Sequence, residues 1–217
     1  MGMVSMSDRR LSSLQIVVLA AGLSTRMGRP KMLEKIHGTS LIRRTISVLA
    51  QVTPQAIVVV TAPRAARMRV ELRGCRVSFV ANRGRGHGLS TSVVLALRET
   101  RYCRATLFVP ADLAELDPWD ILRLISRWRG ARRRVVARNI AGRASTPLIL
   151  PKFLYPRAQR LVGDVGLREF VAKLPAEQRT LVELPSAARD IDTLQDLADA
   201  RSKAARSISY KMPRKVS

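Results

Sequence analysis

The chain has 217 residues, is 47% hydrophobic, and carries 39 Lys and Arg against 16 Asp and Glu, a formal net charge of +23. That apolar share suffices for one sizeable core. Two cysteines, Cys75 and Cys103, exclude a disulfide framework and match no zinc spacing, and no run of about eighteen apolar residues exists to span a membrane.

The N-terminal stretch MGMVSMSDRRLSS has no apolar core of the kind a secretory signal needs, so a cytoplasmic protein with a flexible arm at 1–12 is expected. The first strand candidate is 15–20, whose β-branched, all-apolar character suits a strand covered on both faces. Further strand candidates are 56–61, 76–80, 105–109, 133–138, 146–150 and 180–184. Helical patterns lie between them, near 40–51, 64–72, 89–101, 117–129, 166–173 and 193–206. Thr39 or Ser40, Ser90, Asp117 before Pro118, and Thr193 can each cap a first turn. Alternation of buried strands with helices predicts a three-layer α/β/α sandwich, Rossmann-like, on a mostly parallel sheet. A single domain over 13–205 is expected, followed by a basic, frayed tail at 206–217.

The excess charge is clustered at 64–76, in RWRGARRR (127–134) and in the acid-free stretch 201–217. Such clusters fit either a solvated basic surface or an acidic partner. Aromatic residues are only 4%, which argues against nucleic acid, where bases need rings to stack on.

The first strand runs into IVVLAAGLSTRMGRPK (16–31). Small residues at Ala21, Gly22 and Ser24 let a ligand approach the backbone, and Arg26 and Lys31 supply cations that suit phosphate. The same residues also fit an ordinary strand-to-loop turn. Neither G-x-x-x-x-G-K-[ST] nor G-x-G-x-x-G is present. In an open α/β sheet, ligands bind beyond the carboxyl ends of the strands. That rule collects this loop, NRGRGHGLSTS (82–92) with the helix N-terminus it leads into, Asp112 after the fourth strand, and Asp190 and Asp192 before the last helix. Aspartates beside a phosphate loop make sense when Mg²⁺ bridges carboxylate and phosphate, so a nucleotide–Mg²⁺ site is expected.

The stretch LAAGLSTRMGRPK resembles the signature L-A-[AG]-G-x-S-x-R-M-G-x-x-K of the MobA-like nucleotidyltransferases. Asn82, Gly88 and Ser92 match an N…G…S element, and Asp112 matches the metal-binding aspartate. LVGDVGLREF and DIDTLQDL resemble elements of the molybdenum cofactor cytidylyltransferase (MocA-like) branch. The resemblance implies transfer of CMP from CTP to the terminal phosphate of molybdopterin, with Mg²⁺ as cofactor and pyrophosphate released. It implies nucleotide contacts from Leu19, Ala20, Ala21, Gly22, Ser24, Asn82, Gly88 and Ser92, with Arg26 and Lys31 neutralising the triphosphate. It implies Asp112 and Asp192 on the metal, and Thr146 and Asp164 near the acceptor. Ala21, where guanylyl enzymes have a second glycine, implies a pyrimidine, its methyl narrowing the floor under the base. His87 reads as a loop residue, because a phosphate nucleophile is already ionised.

The chain departs from the pattern at Ala114, where Pro is usual, at Arg85, where Trp is usual, and in GRASTP (142–147). Those positions border the acceptor, so a sugar- or polyol-phosphate acceptor is the alternative. A non-catalytic carrier docking on an acidic molybdoenzyme is a further one.

Overall fold

The computed structural model describes residues 14–22, 31–113, 115–185 and 198. The N-terminal arm, the 206–217 tail, the 193–206 helix apart from residue 198, its Thr193 cap, and Ser24, Arg26, Asp190 and Asp192 lie outside them. The elements run β1 (Leu14–Ala20), β2 (Lys35–Ile36), β3 (Thr39–Ser40), α1 (Leu41–Ala50), β4 (Ile57–Thr61), α2 (Ala66–Glu71), β5 (Val77–Ala81) and α3 (Ser90–Glu99). They continue with β6 (Ala105–Pro110), α4 (Pro118–Gly130), β7 (Val135–Ile140), β8 (Arg143–Pro151), α5 (Tyr155–Ala158), α6 (Leu167–Ala172) and β9 (Arg179–Val182).

Seven strands form one sheet in the order β5-β4-β1-β6-β8-β7-β9, and β2 and β3 make a separate two-stranded ribbon. Side chains on a strand alternate between faces, so apolar strands feed two cores. Ile16 and Val18 pack with Ile42 and Ile46 of α1 and with Ile121, Leu124 and Trp128 of α4. Val17 packs with Val93 and Leu97 of α3 and with Phe170 and Val171 of α6. The expected three-layer α/β/α sandwich is therefore present. Among the described residues no helix is long and apolar enough to cross a membrane.

The mostly parallel sheet turns antiparallel at β8, and one capping expectation differs from the structure. β8 pairs antiparallel with both β6 and β7. The cause is the two-residue turn at Ala141 and Gly142, where φ is +49° and +78°. Two consecutive positive φ values make the tight hairpin turn that matches strand twist, leaving no room for a crossover helix. Asn139 holds the turn, its Oδ1 accepting from Gly142 N at 2.9 Å. The second difference is at α3: Ser90 is not its cap but its first residue, and Leu89 precedes it with no side-chain cap. Ser40 and Asp117 do cap α1 and α4, accepting from Arg43 N and Trp119 N.

A buried hydroxyl chain ties α3, β6 and α5 together. Thr100 Oγ1 donates to Ala96 O, Thr106 Oγ1 donates to Thr100 Oγ1 at 2.7 Å, and Tyr155 Oη lies 2.6 Å from Thr106 Oγ1. Since the Thr106 proton is already given away, Tyr155 is the donor. Burial pushes the Tyr155 hydroxyl from 10.0 up to about 12, against the lowering effect of its hydroxyl neighbours. Above pH 10 the unfolded chain loses this proton before the folded one does. The stabilisation is thus whole below pH 10 and is lost as pH rises toward 12. From pH 10 to 11 the wild type should lose about 1 kcal/mol more stability than Tyr155→Phe. Urea melts across that interval test it, and parallel losses in the two proteins would refute the assignment.

Candidate nucleotide site at the carboxyl edge of the sheet

The parallel strands β1, β4, β5 and β6 all end at one edge of the sheet, and the antiparallel β8 begins there. Ala20 stands in register with Thr61, and Ala111 N donates to Leu19 O at 3.3 Å, so the ends of β1, β4 and β6 are locked together. Thr45 of α1 adds a brace, its Oγ1 donating to Ala111 O at 3.2 Å. Immediately beyond Ala111, Asp112 turns its carboxylate toward Lys31, with Oδ2 and Nζ 2.8 Å apart. Lys31 opens a single 3₁₀ turn (Lys31–Leu33) and is only 6% exposed. A cation this buried needs a partner of opposite charge close by, and Asp112 is one.

Gly22 is exposed, has no positive φ, and a Cβ built there meets nothing within 4 Å. Neither backbone strain nor packing by the described residues calls for glycine at this point. Ala21 behaves differently from its expected role. It is 3% exposed and belongs to the apolar cluster of Val17, Val93 and Ala96, so its methyl is part of the core rather than a floor under a base.

Asn82, Gly88 and Ser92 are brought together, as their pattern suggested. Asn82 is 3% exposed and fully engaged: Nδ2 donates to Thr91 Oγ1 and Ser92 Oγ, both at 2.9 Å, and Oδ1 accepts from Gly84 N at 3.0 Å. It organises the loop into α3, and that use of both amide protons leaves none to read a base edge. His87 is exposed, with Nδ1 3.3 Å from Gly84 O in its own loop.

Gly88 has φ +103°, and a Cβ there would lie 2.2 Å from Gly163 C and O and 2.7 Å from Asp164 N. The loop carrying Asp164 is therefore seated directly on the 82–92 loop. Ser90 N donates to Gly163 O at 3.1 Å, so the first N–H of α3, expected to face an anion, is already satisfied by protein. Asp164 itself is exposed. Thr146 precedes a cis peptide to Pro147 near the start of β8, at a register shift in the β7–β8 pairing, and its carbonyl accepts from Arg138.

Sequence reasoning missed Gly163 and Thr61. Gly163 carried a signal in the paired glycines of VGDVG, but its partner lies 75 residues earlier and only folding joins them. Thr61 ends IVVVT at β4; it is fully buried and its Oγ1 has no hydrogen-bond partner.

The donor set can be weighed against a divalent cation. Among the described residues no three His, Cys, Asp or Glu side chains gather as a metal cluster. Beside Lys31, just past β6, Asp112 presents a partly exposed carboxylate. That suits Mg²⁺, which binds through one or two carboxylates and completes its shell with substrate phosphates and water.

A family model described as a MobA-like NTP transferase domain matches residues 16–179. The chain is 30% identical over 187 residues to a "probable molybdenum cofactor guanylyltransferase" of Rhodopirellula baltica, covering 83% of this chain and 88% of that one. In fold it is similar to a Mycobacterium tuberculosis protein solved in complex with manganese (TM-score 0.69, 22% identity, 88% of this chain and 98% of that one). It is similar also to the molybdopterin-guanine dinucleotide biosynthesis protein A of Archaeoglobus fulgidus (TM-score 0.68, 17% identity, 88% and 99%). With its sheet order, its β1 loop and the family match over most of its length, this chain belongs to the MobA-like NTP transferase family and is a nucleotidyltransferase.

Proposed function

We propose that the chain transfers CMP from CTP to the terminal phosphate of a molybdopterin-type acceptor. An acceptor phosphate oxygen attacks the α-phosphorus, a new P–O bond forms, the bond to the β-phosphate oxygen breaks, and pyrophosphate leaves. The observation that carries the reading is the part-buried Lys31–Asp112 pair just past β6, whose neighbour β1 leads into Gly22. It sets a cation and a carboxylate where the strand ends meet.

Lys31, with Arg26, balances the charge of the triphosphate and of the departing pyrophosphate. The backbone of Leu19 to Gly22, with Ser24, receives the nucleotide, and Asn82 with Ser92 holds the loop that borders it. Asp112, with Asp192, would hold the divalent cation, which would supply further charge neutralisation at the phosphates. Gly88 fixes the position of the 163–164 loop, and Thr146 and Asp164 border the acceptor. No side chain acts as a covalent nucleophile, so catalysis is positioning and electrostatics.

The base is assigned from LVGDVGLREF and DIDTLQDL, which resemble the cytidylyl branch. With the Ala21 methyl in the core, sterics at that residue do not support the choice. A guanylyl reading is favoured by the name of the Rhodopirellula baltica relative. Pyrophosphate release with each of the four nucleotides, with and without molybdopterin, separates the two. We expect CTP to exceed GTP by at least about tenfold in kcat/KM, a margin of only ~1.4 kcal/mol. Equal or better use of GTP would move the assignment to guanylyl transfer. Release with a sugar phosphate and not with molybdopterin would replace the acceptor, and no release with any pair would leave a carrier.

A further inference from the structure

The arginine-rich stretch that follows α4 has no part in the site just described. Arg123, Arg127, Arg132, Arg133 and Arg134 line an open groove of about 1010 Å³ that runs along β9, with Thr180, Leu181 and Val182 on its other wall. β9 is the last strand of the sheet and pairs only with β7 among the described residues. It lies four inter-strand spacings, about 19 Å, from β1.

Among the described residues, none of the five guanidinium groups forms an ion pair. The one acidic side chain in the groove, Glu183, accepts from Asn139 Nδ2 at 2.6 Å, and Arg123 reaches only its backbone oxygen, at 3.4 Å. Two of the arginines lie over rings, Arg132 on Trp128 at 5.7 Å and Arg133 on Phe153 at 5.5 Å, an arrangement that holds each guanidinium on an aromatic face. Like charges gathered in this way repel one another, and their placement is favourable once an anion lies between them.

We propose that this groove is a docking site for an acidic, extended peptide segment of a partner protein. The edge of β9 offers main-chain donors and acceptors to an added strand, and the arginine forks match carboxylates bidentately. Charge complementarity names the occupant. A second copy of this chain, at +23, is repelled, and the 201–217 stretch holds no acid. Nucleic acid is disfavoured because Trp128 is buried and Phe153 lies under Arg133, which leaves no free ring in the groove for bases.

The test uses the full chain and a fluorescein-labelled decapeptide of alternating Glu and Thr, read by anisotropy at about 50 mM and about 200 mM salt. We expect binding that weakens with salt and falls about tenfold in Arg127→Gln/Arg134→Gln, with partial recovery in Arg127→Lys/Arg134→Lys. These two arginines cover no ring, so the variant's melting temperature should match the wild type. Amide hydrogen exchange at Thr180 to Val182 should slow when the peptide binds. Undiminished binding in the Gln variant, or unchanged exchange along β9, overturns the proposal. So does absence of binding to the full chain. Tighter binding of a single-stranded ten-nucleotide DNA with the same arginine dependence would also overturn it, in favour of a nucleic-acid surface.

Discussion

Asp112→Asn should lower nucleotidyl transfer by about a thousandfold with the fold retained, although leaving Lys31 without its partner lowers the melting temperature as well. The change is nearly isosteric, so Thr45 still braces Ala111 and the ends of β1 and β6 stay joined. What is lost is a formal negative charge 2.8 Å from Lys31. A metal carboxylate is worth several kcal/mol of charge stabilisation, and each 1.36 kcal/mol is a factor of about ten in rate. The check is steady-state pyrophosphate release over a Mg²⁺ titration, and near-normal turnover at saturating metal would remove Asp112 from the metal site. Lys31→Ala serves as the companion. Because charge grows on the departing pyrophosphate mainly in the transition state, kcat should fall more than nucleotide affinity. A rise in KM alone would make Lys31 a ground-state contact. The two changes touch one ion pair, so their combination should be far from additive.

Among the described glycines, Gly88→Ala should be the most damaging substitution. Its Cβ would overlap the Gly163 carbonyl at 2.2 Å and crowd Asp164 N, both backbone atoms that no rotamer change can clear. The φ of +103° adds strain of about 1–3 kcal/mol for any residue with a side chain. The 163–164 loop would have to lift, breaking the Ser90 N to Gly163 O bond and shifting both walls of the site. Misplacement of about 1 Å can cost about a hundredfold in kcat/KM, and the acceptor should suffer more than the nucleotide because Asp164 moves with the loop. Gly86→Ala is the control in the same loop, since a Cβ there meets nothing within 4 Å and its φ is ordinary. Loss of protection at the Ser90 amide in Gly88→Ala, and not in Gly86→Ala, would verify the clamp. Identical acceptor KM in both variants would refute it.

Much of the layer structure was readable before folding was considered. Runs such as IVVLA and IVVVT are apolar on both faces, a pattern that only a covered strand satisfies, and the helices between them carry their apolar residues in stripes. Ser40 and Asp117 announced helix starts by local chemistry, because a cap acts within three residues of itself. The direction of β8 was not readable in the same way. It depends on whether Ala141 and Gly142 turn the chain back at once, and an alanine at positive φ gives no warning in sequence.

The order of residues along the chain thus determined the α/β class, the family, and the loops that could meet at one edge of the sheet. These rest on local periodicity and on short motifs whose residues are neighbours in sequence. Only the tertiary structure decided which of those residues touch. It set Lys31 against Asp112 across 81 positions, turned the Ala21 methyl into the core, and closed Gly88 on Gly163. It also laid five arginines along β9, the last strand of the sheet among the described residues. Contacts of this kind are set by sheet order and by the side of the sheet on which each helix packs, and neither is written in the spacing of any single segment.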